Sequence, residues 1–317
     1  MANNNIRAAL MALLSFAIYA THDVIVKYLG AQYSPVQIVF LSVLLGFPFV
    51  TMMLIGDRSE GNLRPRHPGW TALRTLAIVV TAVSAFHAFS ALPLAQTYAI
   101  LFATPLLITL LSIPILGETV RLRRGLAVVV GLIGVIVVLR PGQTDLGLGH
   151  LSALAAAVGG ALNGIIVRKI GNAERSVVLL LFPMLANFVI MGAILPFTYQ
   201  PMPLVDFVAV GVIALLSFLA MLCMIIAYRT GVAVVVAPMQ YSQILWAALF
   251  GYLFFDESPD LVTAVGAAII IGSGLYILFR EDNAASAGNQ PVLKSHGRPD
   301  TGTQPRFMPL PRRRTPE

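Results

Sequence analysis

A succession of long apolar stretches, running from near the N-terminus to about residue 280, leaves this chain few ways to fold. Ten can be drawn, at approximately 8–29, 36–56, 70–91, 94–116, 123–139, 150–170, 175–197, 205–228, 232–255 and 260–279. Each lies near the roughly 20 residues that a helix needs to cross a hydrocarbon core of about 30 Å. Only 11% of residues are charged, against about 25% in soluble domains, so a water-facing surface could not be covered. The β-branched runs at 234–236 and 269–271 would suggest strands in water. A membrane barrel, however, needs about ten residues of in/out alternation per strand, and these runs are longer and do not alternate. The predicted class is therefore all-α integral membrane.

Charge placement sets the orientation. The net charge of +7 is carried by short basic clusters between apolar runs rather than by one basic face, which argues against a nucleic-acid partner. With the N-terminus inside, all of the 21 Lys and Arg residues except Lys27 and Arg140 fall on the cytoplasmic side, while Asp145, Asp206, Asp256, Glu257 and Asp260 fall outside. That positive-inside pattern predicts a multi-pass protein of a bacterial-type cytoplasmic membrane with both termini cytoplasmic. Arg7 followed by an apolar run resembles a signal peptide, but Asp23 and Lys27 continue it as a polar-faced first helix, read as uncleaved. The single cysteine, Cys223, excludes an intrachain disulfide. Residues 281–317, rich in Pro, Gly, Asn and Arg, are expected to form a disordered cytoplasmic tail.

A weak repeat divides the rest. VKYLG at 26–30 is echoed by VRKIG at 167–171, and the 113–139 stretch by 251–278, with Glu118 and Glu257 at matching places. The expected units are residues 1–140 and 141–280, five helices each. An odd helix count turns the second copy upside down, giving ten transmembrane helices in two inverted five-helix repeats.

These features resemble the EamA-type branch of the drug/metabolite transporter superfamily over roughly residues 6–280. The resemblance rests on the polar-faced first helix, on ALPLAQTYAILFATPLLITLLSIPILGET at 91–119 with its counterpart GVAVVVAPMQYSQILWAALFGYLFFDES at 231–258, and on the Gly-rich fifth and tenth helices. It implies transport of a small organic metabolite through a central cavity. A riboflavin-like vitamin is the first expectation within the family, with amino acid export and S-adenosylmethionine uptake as alternatives.

Polar residues on apolar helices mark the candidate cavity, because such groups in a span normally face a wet interior. On the first helix these are Tyr19, His22 and Asp23, with Lys27 one turn beyond Asp23 and placed to neutralise it. His87 lies on the third helix; Tyr98 and Phe102 lie on the fourth, near a break at Pro105. Asn163 stands in the second repeat where His22 stands in the first. Gln240, Tyr241, Gln243 and Trp246 cluster on the ninth, combining stacking surface with directional hydrogen bonds suited to a planar or zwitterionic solute. Lys27, Pro105, Glu118 and Glu257 are expected to be structural or gating residues. The expected partners are this solute and membrane lipid, in a monomer or homodimer, and His22 makes proton coupling a candidate. No metal, cofactor or ATP-using loop is read from the chain. An intramembrane enzyme or a channel is the rival class, for which neither a nucleophile–base set nor a selectivity ring is seen.

Overall fold

The computed structural model of the protein describes residues 2–55, 64–118, 120, 122–142, 146–170, 173–174, 176–231 and 233–288. Ten helical spans occupy them. The first eight are Ala2–Gly30, Pro35–Ile55, Pro68–Ala91, Leu94–Leu116, Leu122–Leu139, Leu148–Ile170, Ser176–Thr198 and Leu204–Thr230. The ninth is built from Ala233–Val236, Ala237–Ser242 and Gln243–Phe255, and the tenth is Leu261–Gly288. Six helices, the first, third, fourth, sixth, seventh and eighth, are long and apolar enough to cross a membrane by length and composition; three more apolar helices are shorter. The tenth helix runs past the expected start of the tail at 281, and residues 289–317 lie outside the described residues.

Two of the expected rods are interrupted. The fourth divides at Phe102 and Ala103 into Leu94–Leu101 and Thr104–Leu116. Pro105 has no N–H to give to the carbonyl four residues back, and Ala103 N–H turns instead to Ile100 O at 3.0 Å. In the ninth, Pro238 sits within a 3-10 segment, Ala237–Ser242.

The burial pattern is inverted relative to a soluble protein. Ser15, Gln37, Thr97 and Ser112 are fully buried, whereas Phe197 is 87% and Leu261 80% exposed. Such a surface suits lipid, and the interior must satisfy its own polar groups. Small residues allow close helix contact: Ala8 and Ala12 pack beside Ala227, and the fifth and tenth helices meet at Gly134 and Gly266. A Cβ on Gly266 would lie 2.9 Å from Gly134 O.

The first helix packs on the eighth, the third on the sixth and the fifth on the tenth. The second touches the seventh and eighth, and the fourth touches the ninth and sixth. Exchanging the first five helices for the last five converts the first–eighth contact into the sixth–third contact. The same exchange leaves the second–seventh, fourth–ninth and fifth–tenth contacts in place. Backbone detail follows the same exchange. The fourth helix ends in a left-handed residue, Gly117 (φ 71°), and the ninth in Asp256 (φ 52°). The N–H of the next residue, Glu118 or Glu257, bonds the carbonyl six residues back, Ser112 O at 3.3 Å or Gly251 O at 2.9 Å, so the two ends close in the same way.

Candidate solute cavity and end clusters

A cavity of about 520 Å³ lies between the first, second, third, seventh and eighth helices. Its volume is within the range of sites that hold small organic ligands. Tyr19 and His22 contribute from the first helix, and Phe49 and Phe218, stacked at 5.4 Å, from the second and eighth. Phe86 of the third helix meets the His22 ring edge-on at 5.9 Å. Ser42, Asn187 and Ser217 supply the other hydroxyl and amide groups, and Met184 and Met221 soft thioethers. No Asp, Glu, Lys or Arg is among the described lining residues.

Behind this wall a polar relay crosses three helices. His22 Nδ1–H donates to Asp23 Oδ1 at 2.8 Å, and Tyr98 O–H donates to Asp23 Oδ2. Gln243 Nε2 donates in turn to Tyr98 Oη at 3.4 Å. His22, Asp23 and Tyr98 are all buried. A buried carboxylate is tolerable only when its lone pairs are engaged, and here a ring N–H and a phenol engage both oxygens. With Nδ1 committed to Asp23, the second ring nitrogen is the one left for other partners.

The anticipated Asp23–Lys27 pair is not formed. Lys27 Nζ lies 2.8 Å from Glu257 Oε1 and donates to Leu92 O at 2.6 Å, while Leu94 N–H donates to Glu257 Oε2 at 2.9 Å. The ammonium thus finds a carboxylate and a carbonyl on other elements, and Asp23 takes the His22 ring and the Tyr98 phenol instead. This cluster staples the end of the first helix to the third–fourth link and the ninth–tenth link. Tyr33 O–H to Asp206 at 2.7 Å and the reciprocal Gln37–Gln200 amide bonds close the same end, hereafter the far end. The Asp206 hydrogen bond, aided by burial, pushes the Tyr33 phenol up to about 12. At the near end, Arg168 Nη2 meets Glu118 Oε1 at 2.7 Å, Lys169 Nζ donates to Ile115 O at 2.6 Å, and His67 N–H donates to Glu174 Oε1 at 2.5 Å. In the register that aligns VKYLG with VRKIG, Lys27 corresponds to Arg168 and Tyr33 to Glu174. The far-end pair is 11% and 21% exposed, and the near-end pair 48% and 33%.

The residues expected from sequence are dispersed over these features. Tyr19 and His22 line the cavity; Asp23, Tyr98 and Gln243 form the relay. Phe102 bridges Tyr98 and Tyr241 by ring contacts at 6.1 and 5.1 Å. Trp246 packs on Phe250 at 5.9 Å, and Gln240 lies in the 3-10 segment. His87 and Asn163 are partly buried on the third and sixth helices, and neither is among the lining residues of the cavity. Lining residues that the sequence reading passed over are Ser42, Phe49, Asn187, Ser217 and Phe218 from the second, seventh and eighth helices, and Phe86 from the third. Asn187 had a signal, being the one amide within an otherwise apolar 176–197 run.

The EamA-like transporter family model matches residues 6–140 and 147–279, and the chain belongs to that family. It is a multi-pass protein of the bacterial inner membrane and a transporter for a small organic solute, not an enzyme. The chain is 25% identical over 278 residues to an S-adenosylmethionine uptake transporter of Rickettsia bellii, covering 86% of this chain and 94% of the relative. It is 25% identical over 283 residues to one of Rickettsia prowazekii, covering 88% and 94%. A riboflavin transporter of Vibrio cholerae is 25% identical over 279 residues, covering 86% and 93%. A crystal structure 19% identical in sequence superposes with a TM-score of 0.60 over 86% of this chain and 97% of the other, which speaks to the fold alone.

Proposed function

We propose that this protein is a secondary transporter for a compact solute built around a nitrogen heterocycle, and that S-adenosylmethionine is its first candidate cargo. The observation that carries the proposal is the cavity: about 520 Å³, walled by aromatic rings and thioethers, with the His22 imidazole and the Tyr19 phenol among its polar groups. Ring faces attract a cation without a fixed carboxylate, which suits a sulfonium beside a flat purine. No Lys or Arg, which a multiply phosphorylated solute would need, is among the described lining residues. The rickettsial relatives, matched over nearly their full length, support this order. Riboflavin is the second reading, favoured by the absence of fixed charge among the described lining residues and by the Vibrio relative.

In this reading residues 1–140 and 141–280 are inverted repeats, both termini are cytoplasmic, and the far end faces outward. The Lys27–Glu257 and Arg168–Glu118 pairs are then equivalent contacts at opposite mouths, and transport alternates which mouth is held shut. The His22–Asp23 pair is the site for a coupling proton. Counterflow into proteoliposomes tests the cargo directly. Labelled S-adenosylmethionine should accumulate transiently, unchanged, only when unlabelled S-adenosylmethionine preloads the lumen. Accumulation with riboflavin alone would move the assignment to the second reading, and none with either would reject both.

A further inference from the structure

We propose that Asn187 and Ser42 form the edge of the cavity that reads an N–H donor on the heterocycle of the cargo, an inference that rests on the transport reading above. Asn187 is 5% exposed and belongs to the cavity wall. Its Nδ2 donates to Pro183 O at 3.0 Å, one turn back on the same helix, which fixes the amide so that Oδ1 is the oxygen left over. Asn187 Oδ1 has no hydrogen-bond partner. Ser42, on the second helix and in the same wall, also leaves its Oγ without a partner, although serine in a helix ordinarily turns to the carbonyl of the preceding turn. Two buried oxygens without a partner are destabilising, and such groups in native structures call for an explanation. A bound donor supplies one. Both oxygens are covered in this conformation, so the N–H edge of the cargo would reach them on a small turn of the two side chains, the flat ring lying against Phe86 and Phe218 with His22 and Tyr19 contributing from the first helix. Both candidate cargoes carry such a donor: the exocyclic amine of adenine and the ring imide of riboflavin.

The test is competition against labelled S-adenosylmethionine counterflow by two unlabelled compounds. One is S-adenosylmethionine; the other is its counterpart with hydrogen in place of the 6-amino group, which removes the donor without adding bulk. The wild type should favour the amino compound by about tenfold, as expected for one buried hydrogen bond. That ratio should fall toward one in Asn187→Leu and in the milder Ser42→Ala, each checked for monodispersity in detergent. If the wild type carries S-adenosylmethionine but does not discriminate, or both variants keep the ratio, the inference is wrong while the transport reading stands. If only riboflavin is carried, the same comparison with its 3-methyl derivative decides, and equal inhibition overturns the inference. Carriage of neither cargo overturns the transport reading and this inference with it.

Discussion

Neutralising Lys27 should open the far end. Its ammonium is 2.8 Å from Glu257, a gross Coulomb attraction of about 6 kcal/mol at an effective dielectric near 20. Desolvation offsets much of that attraction, but removing one partner of a largely buried pair strands the other, and costs about 3 kcal/mol. Here Glu257 also holds Leu94 N–H and Lys27 holds Leu92 O, so one substitution loosens the first helix from two links at once. If the closed far end loses about 3 kcal/mol, its open population rises roughly 100-fold. The corresponding Arg168–Glu118 pair is far more exposed, and solvent screening limits it to about 1 kcal/mol or less. The assay is thiol labelling. Ala95 is 6% exposed and lines a small cavity of about 190 Å³ beside Glu257, so Ala95→Cys in a Cys223→Ala background should label slowly with an impermeant maleimide applied to that face. Lys27→Met and Glu257→Gln should each speed labelling, the charge-reversed double variant, which restores the ion pair but neither backbone bond, should slow it again in part, and Arg168→Met should not speed it. Unchanged labelling in folded Lys27→Met protein, or an equal response to Arg168→Met, would refute the assigned role.

Three further outcomes follow from the described contacts. The Tyr33 phenol should titrate near pH 12 in a difference spectrum against Tyr33→Phe, and lower, toward the usual 10, in Asp206→Asn. Because the folded value is raised, its stabilisation is fully present below about pH 10 and is lost as pH rises through about 12; a midpoint unmoved by Asp206→Asn would contradict the contact. Tyr98→Phe removes a donor from Asp23 and an acceptor from Gln243, and should lower the melting temperature in detergent by an amount equivalent to about 2 kcal/mol; no change would mean that the relay is not formed. Gly266→Val should abolish folded protein by forcing the fifth and tenth helices apart, whereas Gly272→Ala, with open space around it, should be neutral or stabilising by about 0.5–1 kcal/mol. Equal yields of the two variants would show that the helices do not meet at Gly266.

What could be read from the sequence, and what could not, separates along one physical line. Span lengths, helix class and the pairing of Glu118 with Glu257 depend on local composition and register, and the structure places both glutamates after left-handed helix ends with the same closure. Partner choice is a different matter. Spacing put Lys27 one turn from Asp23, but a lysine chain reaches in several directions, and the ninth–tenth link, distant in sequence, offered a carboxylate at 2.8 Å. The cavity wall was hidden for the same reason. Its second, seventh and eighth helices are apolar almost throughout, so no contrast marked the face that Ser42 or Phe218 would present. The conspicuous ninth-helix residues lie elsewhere, where Gln243 hydrogen-bonds Tyr98 and Tyr241 meets Phe102, holding the relay behind His22 in place. In lipid a polar residue stands out in the sequence whether it supports the site or touches cargo. The distinction is made by which helices meet, and the sparse polar groups of the plainest helices are therefore the ones whose substitution should change cargo selectivity while leaving the fold intact.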